Sequence, residues 1–262
     1  MFEAKLANSG LLKKIVESIK DLVTVASFDC SETAMSLQAM DSSHVALVSL
    51  KLEVGLFDTY RCDKPIHLGL SLANLAKVMK CANNDDKCMF KHEENHGDSI
   101  IFTFADPKHD KIQNVPVQMM DINSEKLGIP KVDYDVVCEM PAAEFQKTCR
   151  DLAMFSDALS ITATKASIVF TGKGDIRSPE VIYAPSANIN DESEGVTLEV
   201  KEPVSLQFSN QYMNMFTKAT ALSDRVRLSL SNDEPIAVEY PIEENGFLRF
   251  YLAPRIEDDD ME

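Results

Sequence analysis

Apolar and polar residues change period repeatedly along this chain of 262 residues. Phe2, Ala4 and Leu6 alternate with Glu3 and Lys5, the two-residue period of a half-buried strand. Ser9 and Gly10 then open a stretch in which Leu11, Leu12, Ile15, Val16, Ile19 and Leu22 recur at helical spacing. Lys13, Lys14, Glu17, Lys20 and Asp21 occupy the opposite face. Strand-like alternations follow at 23–29, 34–39 and 44–52, and IHLGL at 66–70 adds another. Ser71 is placed to cap a helix over 71–82, with Leu72, Leu75, Ala76, Val78 and Met79 apolar and Lys77 and Lys80 polar. Strands are predicted at 87–91 and 99–105. Val115, Val117 and Met119 alternate once more, but Pro116 lacks a backbone donor, so this segment is an edge strand at best.

From residue 135 the order recurs. A strand at 135–139 leads to Pro141, which suits a helix start. In PAAEFQKTCRDLAMF, Phe145, Cys149, Leu152 and Ala153 point inward and Lys147 and Arg150 outward. Strands are expected at 158–163, 166–171, 180–184, 196–200 and 204–208. Ser209 then caps SNQYMNMFTKATAL, and strands at 225–230, 235–241 and 247–252 follow. Each half therefore reads strand, helix, three strands, twice over. IHLGLSLANLAKVMK lies over VSLQFSNQYMNMFTK, with Ser71 on Ser209 and Lys80 on Lys218. A shift of 133 places Leu12 on Phe145 and Lys14 on Lys147. The pattern is that of a pseudo-duplication with four helices and about sixteen short strands.

Between the halves, Met120 to Val137 has neither period. Gly128 permits backbone angles closed to other residues, and Pro130 holds Ile129 extended. The segment reads as an ordered connector, yet it carries Leu127, Ile129 and Tyr134 where a spacer would be polar. These groups either pin the connector down or form one wall of a binding surface.

Composition narrows the class. No stretch approaches the ~20 apolar residues of a membrane span. The N-terminus MFEAKLANSG has no apolar signal core, which points to the cytosol or nucleus. The six cysteines form no C-x-x-C pair and are expected to be reduced and mostly buried. The net charge of −16 repels nucleic acid and anionic membranes when taken as a whole. Its distribution says something different. The four helical segments hold eight basic residues (Lys13, Lys14, Lys20, Lys77, Lys80, Lys147, Arg150 and Lys218) against four acidic ones (Glu17, Asp21, Glu144 and Asp151). The rest of the chain thus carries an excess of twenty negative charges. Any one helix with lysines is ordinary solvated surface. Four with the same bias suggest a shared basic surface for phosphate contact without base readout.

Catalytic chemistry finds little support. His92-Glu93-Glu94-Asn95-His96 fits the H-E-x-x-H zinc pattern, but that chemistry needs a rigid helix, and this short polar segment lies between two strands. A metallohydrolase using His92, Glu93 and His96 is the remote alternative. Gly172-Lys173-Gly174-Asp175 lacks phosphate-loop spacing and reads as a hairpin turn. His44, after Asp41-Ser42-Ser43, is better explained by a turn entering a strand. No metal, cofactor or catalytic set is expected.

The stretches MFEAKL, LKKIVESIKDL, LQAMDSSHVALV, FDTYRCD, LGIP, EMPAAEF, CRDL, FTKAT, VEYPI and FLRFYLAPRIEDDD give the chain, from Met1 to about Asp258, a resemblance to the eukaryotic sliding DNA clamps. The resemblance implies an α+β DNA-clamp fold that forms rings. Its boundaries would be an N-terminal domain over 1–120, a connecting loop over 121–134, a C-terminal domain over 135–256 and an acidic tail over 257–262. It implies a nuclear homotrimer that encircles double-stranded DNA, with the eight basic residues facing the duplex and no catalysis. Partners would be a clamp loader and PIP-box proteins such as replicative polymerases, flap endonuclease and DNA ligase. Their pocket would comprise Met40, His44, Val45, Leu47, Leu127, Ile129, Tyr134, Pro235, Tyr251, Ala253, Pro254 and Ile256, which makes the connector a wall. Lys165, in TATKAS, matches the ubiquitin acceptor. Subunit contacts would run along 109–118 and 175–184. Gln211 stands where these clamps usually carry a basic residue. The alternative within the same fold is a clamp-like subunit of a heteromeric checkpoint ring.

Overall fold

The computed structural model describes residues 1–93, 97–106, 108, 110–122, 128, 132–173, 178–185, 195–232 and 234–255. The chain divides into two compact units, Met1–Gly128 with Pro241–Leu248, and Ile129–Tyr240 with Arg249–Glu262.

In the first unit the elements run β1 (Phe2–Leu6), α1 (Gly10–Ile19), β2 (Val25–Cys30), β3 (Ala34–Met40), β4 (Ala46–Glu53), β5 (Thr59–Cys62), β6 (Ile66–Ser71), α2 (Leu72–Lys80), β7 (Lys87–His92), β8 (Ser99–Asp106) and β9 (Lys111–Gln118). One antiparallel run is ordered β5-β1-β7-β8-β9 and another β4-β3-β2-β6. Helices α1 and α2 pack on each other. Leu12 and Leu75 from them meet Phe28, Leu68, Phe90 and Phe102 from the strands in one apolar core. Each such side chain, taken fully out of water, contributes about 1.5–3 kcal/mol.

The second unit holds β10 (Val136–Pro141), α3 (Ala142–Leu152), β11 (Ala158–Ala163), β12 (Ile168–Gly172), β13 (Glu180–Tyr183), β14 (Thr197–Val200), β15 (Val204–Ser209), α4 (Asn210–Phe216), β16 (Arg225–Leu230) and the greater part of β17 (Ile236–Ile242) and of β18 (Gly246–Leu252). Its strands are ordered β13-β12-β11-β15 and β14-β10-β16-β17-β18. The connectivity repeats that of the first unit: β10 lies between β14 and β16 as β1 lies between β5 and β7. Phe216 and Phe250 stack with ring centroids 4.6 Å apart, and Tyr240 meets Phe250 edge-on.

Several elements differ from the sequence expectation. Strand β5 was not expected, because TYRC is short and carries Arg61; its counterpart in the repeat is the expected strand at 196–200. Helix α1 stops at Ile19, not Leu22: the amides of Leu22 and Val23 both bond the Ile19 carbonyl at 3.0 Å. That turn lets both side chains bury. Ser71 caps α2 as predicted, its side chain accepting from the Asn74 amide. Ser209 holds the cap position of α4 without such a bond, and Ser9 donates instead to the Asn83 carbonyl. Beyond Phe216 the helix tightens to a 3-10 turn over Thr217–Ala221, so Lys218 is not on the α-helix itself. Gly128 does not use its conformational freedom: its φ is not left-handed, and a side chain there would meet nothing. Among the described residues no helix is long and apolar enough to cross a membrane.

Candidate nucleic-acid interface

In the first unit the N-terminus of α1 is tied to the turn that follows α2. The amides of Ser9 and Gly10 reach the carbonyls of Asp86 and Asn84 at 2.8 and 3.1 Å, and Lys13 Nζ lies 3.5 Å from the Ala82 carbonyl. Lys13 therefore sits beside the end of α2 that carries Lys77 and Lys80. These last two belong to the final turn of α2, where a cation also complements the helix dipole. Lys14, Lys77 and Lys80 are exposed, and among the described residues they enter no ion pair. Lys20 is different. Its Nζ lies 2.6 Å from Glu17 Oε2 one turn earlier, and that bond raises its pKa. Part of its charge is compensated before any ligand arrives.

In the second unit α3 and α4 are joined by side-chain amides. Gln146 donates to the Thr217 carbonyl at 3.0 Å, and Asn214 to the Cys149 carbonyl at 3.2 Å. Lys147, Arg150 and Lys218 are exposed. Arg150 pairs with Asp151 at 3.1 Å, so it too is locally balanced. Among the described residues Lys13, Lys14, Lys77, Lys80 and Lys147 thus enter no ion pair, whereas Lys20 and Arg150 each hold a neighbouring carboxylate.

The apolar residues fall into one set in each unit. In the first, Met40 and Leu47 are register partners across β3 and β4. The turn between them is built on Asp41, whose buried carboxylate accepts from the amides of Ser43, Val45 and Ala46 at 2.9, 2.8 and 2.8 Å. These bonds offset the strain at His44, whose φ is 56°. Met40, His44 and Val45 are thereby held exposed, and Leu47 half-buried. In the second unit, Tyr134 donates to the Pro235 carbonyl at 3.4 Å, and Pro235 is exposed. Burial, then the nearby Tyr251, pushes the Tyr134 phenol up to about 12. Ala253 and Pro254 continue from β18, and the Arg255 amide ties the segment down by bonding the Gln207 carbonyl at 2.7 Å. Leu127, Ile129 and Ile256 lie outside the described residues.

A family model described as "Proliferating cell nuclear antigen, N-terminal domain" matches residues 1–126, and its C-terminal counterpart matches residues 128–255. A protein of Caenorhabditis elegans called "Proliferating cell nuclear antigen" is 78% identical over 260 residues, 99% of both chains. The chain belongs to the proliferating cell nuclear antigen family. Like the family, it is a sliding clamp, a non-catalytic processivity factor. It encircles DNA as a homotrimer and binds polymerases, flap endonuclease, ligase and the clamp loader.

The segments expected to contact neighbouring subunits include β9 and β13, and each is the edge of its run of strands. Ile112 on β9 and Ile182 on β13 are 70% and 58% exposed. Pro116 occupies β9 opposite Ile101, as an edge position allows. Residues 174–177 lie outside the described ones. Lys165 is exposed in the turn between β11 and β12, which the Thr164 amide closes onto the Ser167 carbonyl at 2.9 Å. His92 ends strand β7, its Nδ1 2.9 Å from the Ser99 carbonyl, and Glu93 pairs with Lys91. A strand cannot give the one-turn spacing that the zinc motif needs. Residues 94–96 are outside the description.

Two contributors escaped the sequence reading. Asp41 shapes the exposed turn, and an Asp leading a polar run, as in Asp41-Ser42-Ser43-His44, is a recognisable signal for a side chain that closes its own turn onto the amide two residues on. Gly69 is the other. A Cβ there would stand 2.0 Å from the Met120 carbonyl, so only glycine lets the start of the connector cross β6. Nothing local in IHLGL announces this.

Proposed function

We propose that the clamp meets duplex DNA through Lys13, Lys14, Lys20, Lys77, Lys80, Lys147, Arg150 and Lys218, and PIP-box partners through Met40, His44, Val45, Leu47, Leu127, Ile129, Tyr134, Pro235, Tyr251, Ala253, Pro254 and Ile256. One observation carries the DNA side. A chain of net charge −16 keeps its basic surplus on the helices, where the side chains are accessible. Such groups contact phosphate, hold the duplex weakly and read no sequence, which is what sliding requires. The partner side is supported by apolar side chains held exposed at a strained, well-bonded turn and around two tyrosines. In this reading 121–134 connects an N-terminal domain over 1–120 to a C-terminal domain over 135–256, with an acidic tail over 257–262. The protein works in the nucleus, where chromosomal DNA is copied, and Lys165 accepts ubiquitin.

The test is photo-crosslinking on clamps loaded onto circular DNA. A crosslinker at Lys14, Lys77 or Lys147 should label the DNA. The same group at Lys51, a lysine on strand β4, should not. Equal labelling from Lys51 and Lys77 would refute the assignment.

A further inference from the structure

A ladder of alternating charge runs across four adjacent strands, β10, β16, β17 and β18. Glu139 faces Arg227, and Arg227 faces Glu239, in register. Arg227 Nη2 lies 2.6 Å from Glu139 Oε1, and its Nη1 lies 3.9 Å from Glu239 Oε1. Arg249 completes the row: its Nε donates to Glu239 Oε2 at 2.6 Å, and its Nη2 donates to the same oxygen. Glu239 is largely withdrawn from water, its side chain 13% exposed, so this end of the ladder is held firmly.

The fork has a third use. Arg249 Nη1 donates to Tyr251 Oη at 3.0 Å, and the guanidinium carbon stands 6.0 Å from the centre of the Tyr251 ring. A phenol oxygen both accepts and donates. Here a cation takes an accepting side, and among the described residues the hydrogen has no acceptor and is strengthened as a donor. Tyr134 has the opposite polarity, since its hydrogen goes to the Pro235 carbonyl.

We propose that Arg249 is a specificity-determining residue of the partner surface: by donating to Tyr251 Oη it biases that hydroxyl toward donating, and so favours docking segments that place a carbonyl or carboxylate oxygen there. This rests on the reading that Tyr251 belongs to the partner surface. Arg249 touches no partner atom; it acts by setting the polarity of a residue that does. A lysine could serve Glu239 or Tyr251 but has no fork with which to span both.

The test uses the full-length trimer and a synthetic PIP-box peptide, with affinities from calorimetry for Arg249→Met, Tyr251→Phe, the double variant and Tyr134→Ala. Each of the first two should weaken binding about three- to tenfold, the range of one hydrogen bond to a polarised group. The double variant should bind no more weakly than the poorer single variant, because both remove the same bond. A general packing defect would instead multiply the losses. Unchanged affinity in Tyr251→Phe, or multiplied losses in the double variant, overturns the proposal. If Arg249→Met melts early, Tyr251→Phe decides alone, since it deletes one oxygen and no packing. Tyr134→Ala separates the two levels. If it weakens binding while the cycle is additive, only the role of Arg249 falls. If neither tyrosine variant changes affinity, the partner surface itself has been misplaced.

Discussion

Replacing Ile182 by alanine should shift the monomer–trimer midpoint by more than an order of magnitude. Ile182 lies on β13 and Ile112 on β9, the edges of their respective runs, and both are largely exposed in the single chain. Exposed apolar side chains on an open edge invite association, and a ring removes that hazard by pairing the edges. Deleting three carbons from a side chain that becomes fully buried costs about 2.4 kcal/mol. With 58% of Ile182 exposed in the isolated chain, about 1.4 kcal/mol of this belongs to each subunit contact. A closed ring repeats the contact three times, so assembly of three chains loses roughly 4 kcal/mol. The midpoint concentration varies as the square root of the three-chain dissociation constant, which gives about a thirtyfold increase. Sedimentation velocity across a dilution series measures it, with thermal melting as the control for folding. A midpoint within about twofold of the parent would show that β13 does not meet a neighbouring subunit at Ile182, and that the edge assignment is wrong.

Three further outcomes follow from single features. Gly69→Ala must displace the Met120 carbonyl and the Met120 amide bond to Gly69 at 2.9 Å, and should cost about 1–3 kcal/mol in denaturant unfolding; an unchanged midpoint would mean the chain does not cross β6 so closely in solution. Burial pushes the thiols of Cys88 and Cys138 up to about 12, and those of Cys30 and Cys149 higher still, whereas unfolded thiols ionise near ~8.5. The folded state holds these protons more tightly, so their stabilisation is complete below ~8.5 and is lost as pH rises toward the folded values. Melting temperature should therefore fall between about pH 8.5 and 10.5, less steeply in Cys138→Ala, and a flat profile would count against burial as the cause. Lys165→Arg should abolish damage-induced monoubiquitination and leave replication intact; persistence of the modified species in cells would remove Lys165 as the acceptor.

Legibility in the sequence followed the range of the forces involved. The inward faces of α1, α2 and α3 were readable because burial of residues such as Leu12, Leu75 and Phe145 imposes a local period. Pro116 marked an edge because a missing donor constrains pairing wherever the strand lies. Helix ends were less readable. Leu22 keeps the helical period, yet the chain has already turned after Ile19, because a turn buries it equally well. The repeat could have supplied β5, since β14 holds the equivalent place beside β10. The candidate surfaces depended on distance in the chain. Lysines spaced along helices can be counted, and the Glu17–Lys20 pair is visible as a three-residue spacing. Tyr134 meeting the carbonyl of Pro235, 101 residues away, has no local signature. Nor has Arg249, which becomes informative only beside Glu239 and Tyr251.

The most direct test of the DNA-facing helices is the salt dependence of clamp retention on circular DNA. Lys77 and Lys147 are the residues to neutralise together, one from each unit, both exposed and neither ion-paired among the described residues. Lys20, already held by Glu17, is the weaker choice. Each phosphate contact contributes about 0.9 to the magnitude of the slope of log retention against log salt. Three chains carry the pair, so the double variant removes up to six cations from the ring, of which a duplex meets only some at any instant. The prediction is faster loss from DNA and a slope flattened by about one or more, with trimer mass and PIP-box peptide affinity unchanged. Retention and slope equal to the parent's would mean that these helices do not face the duplex.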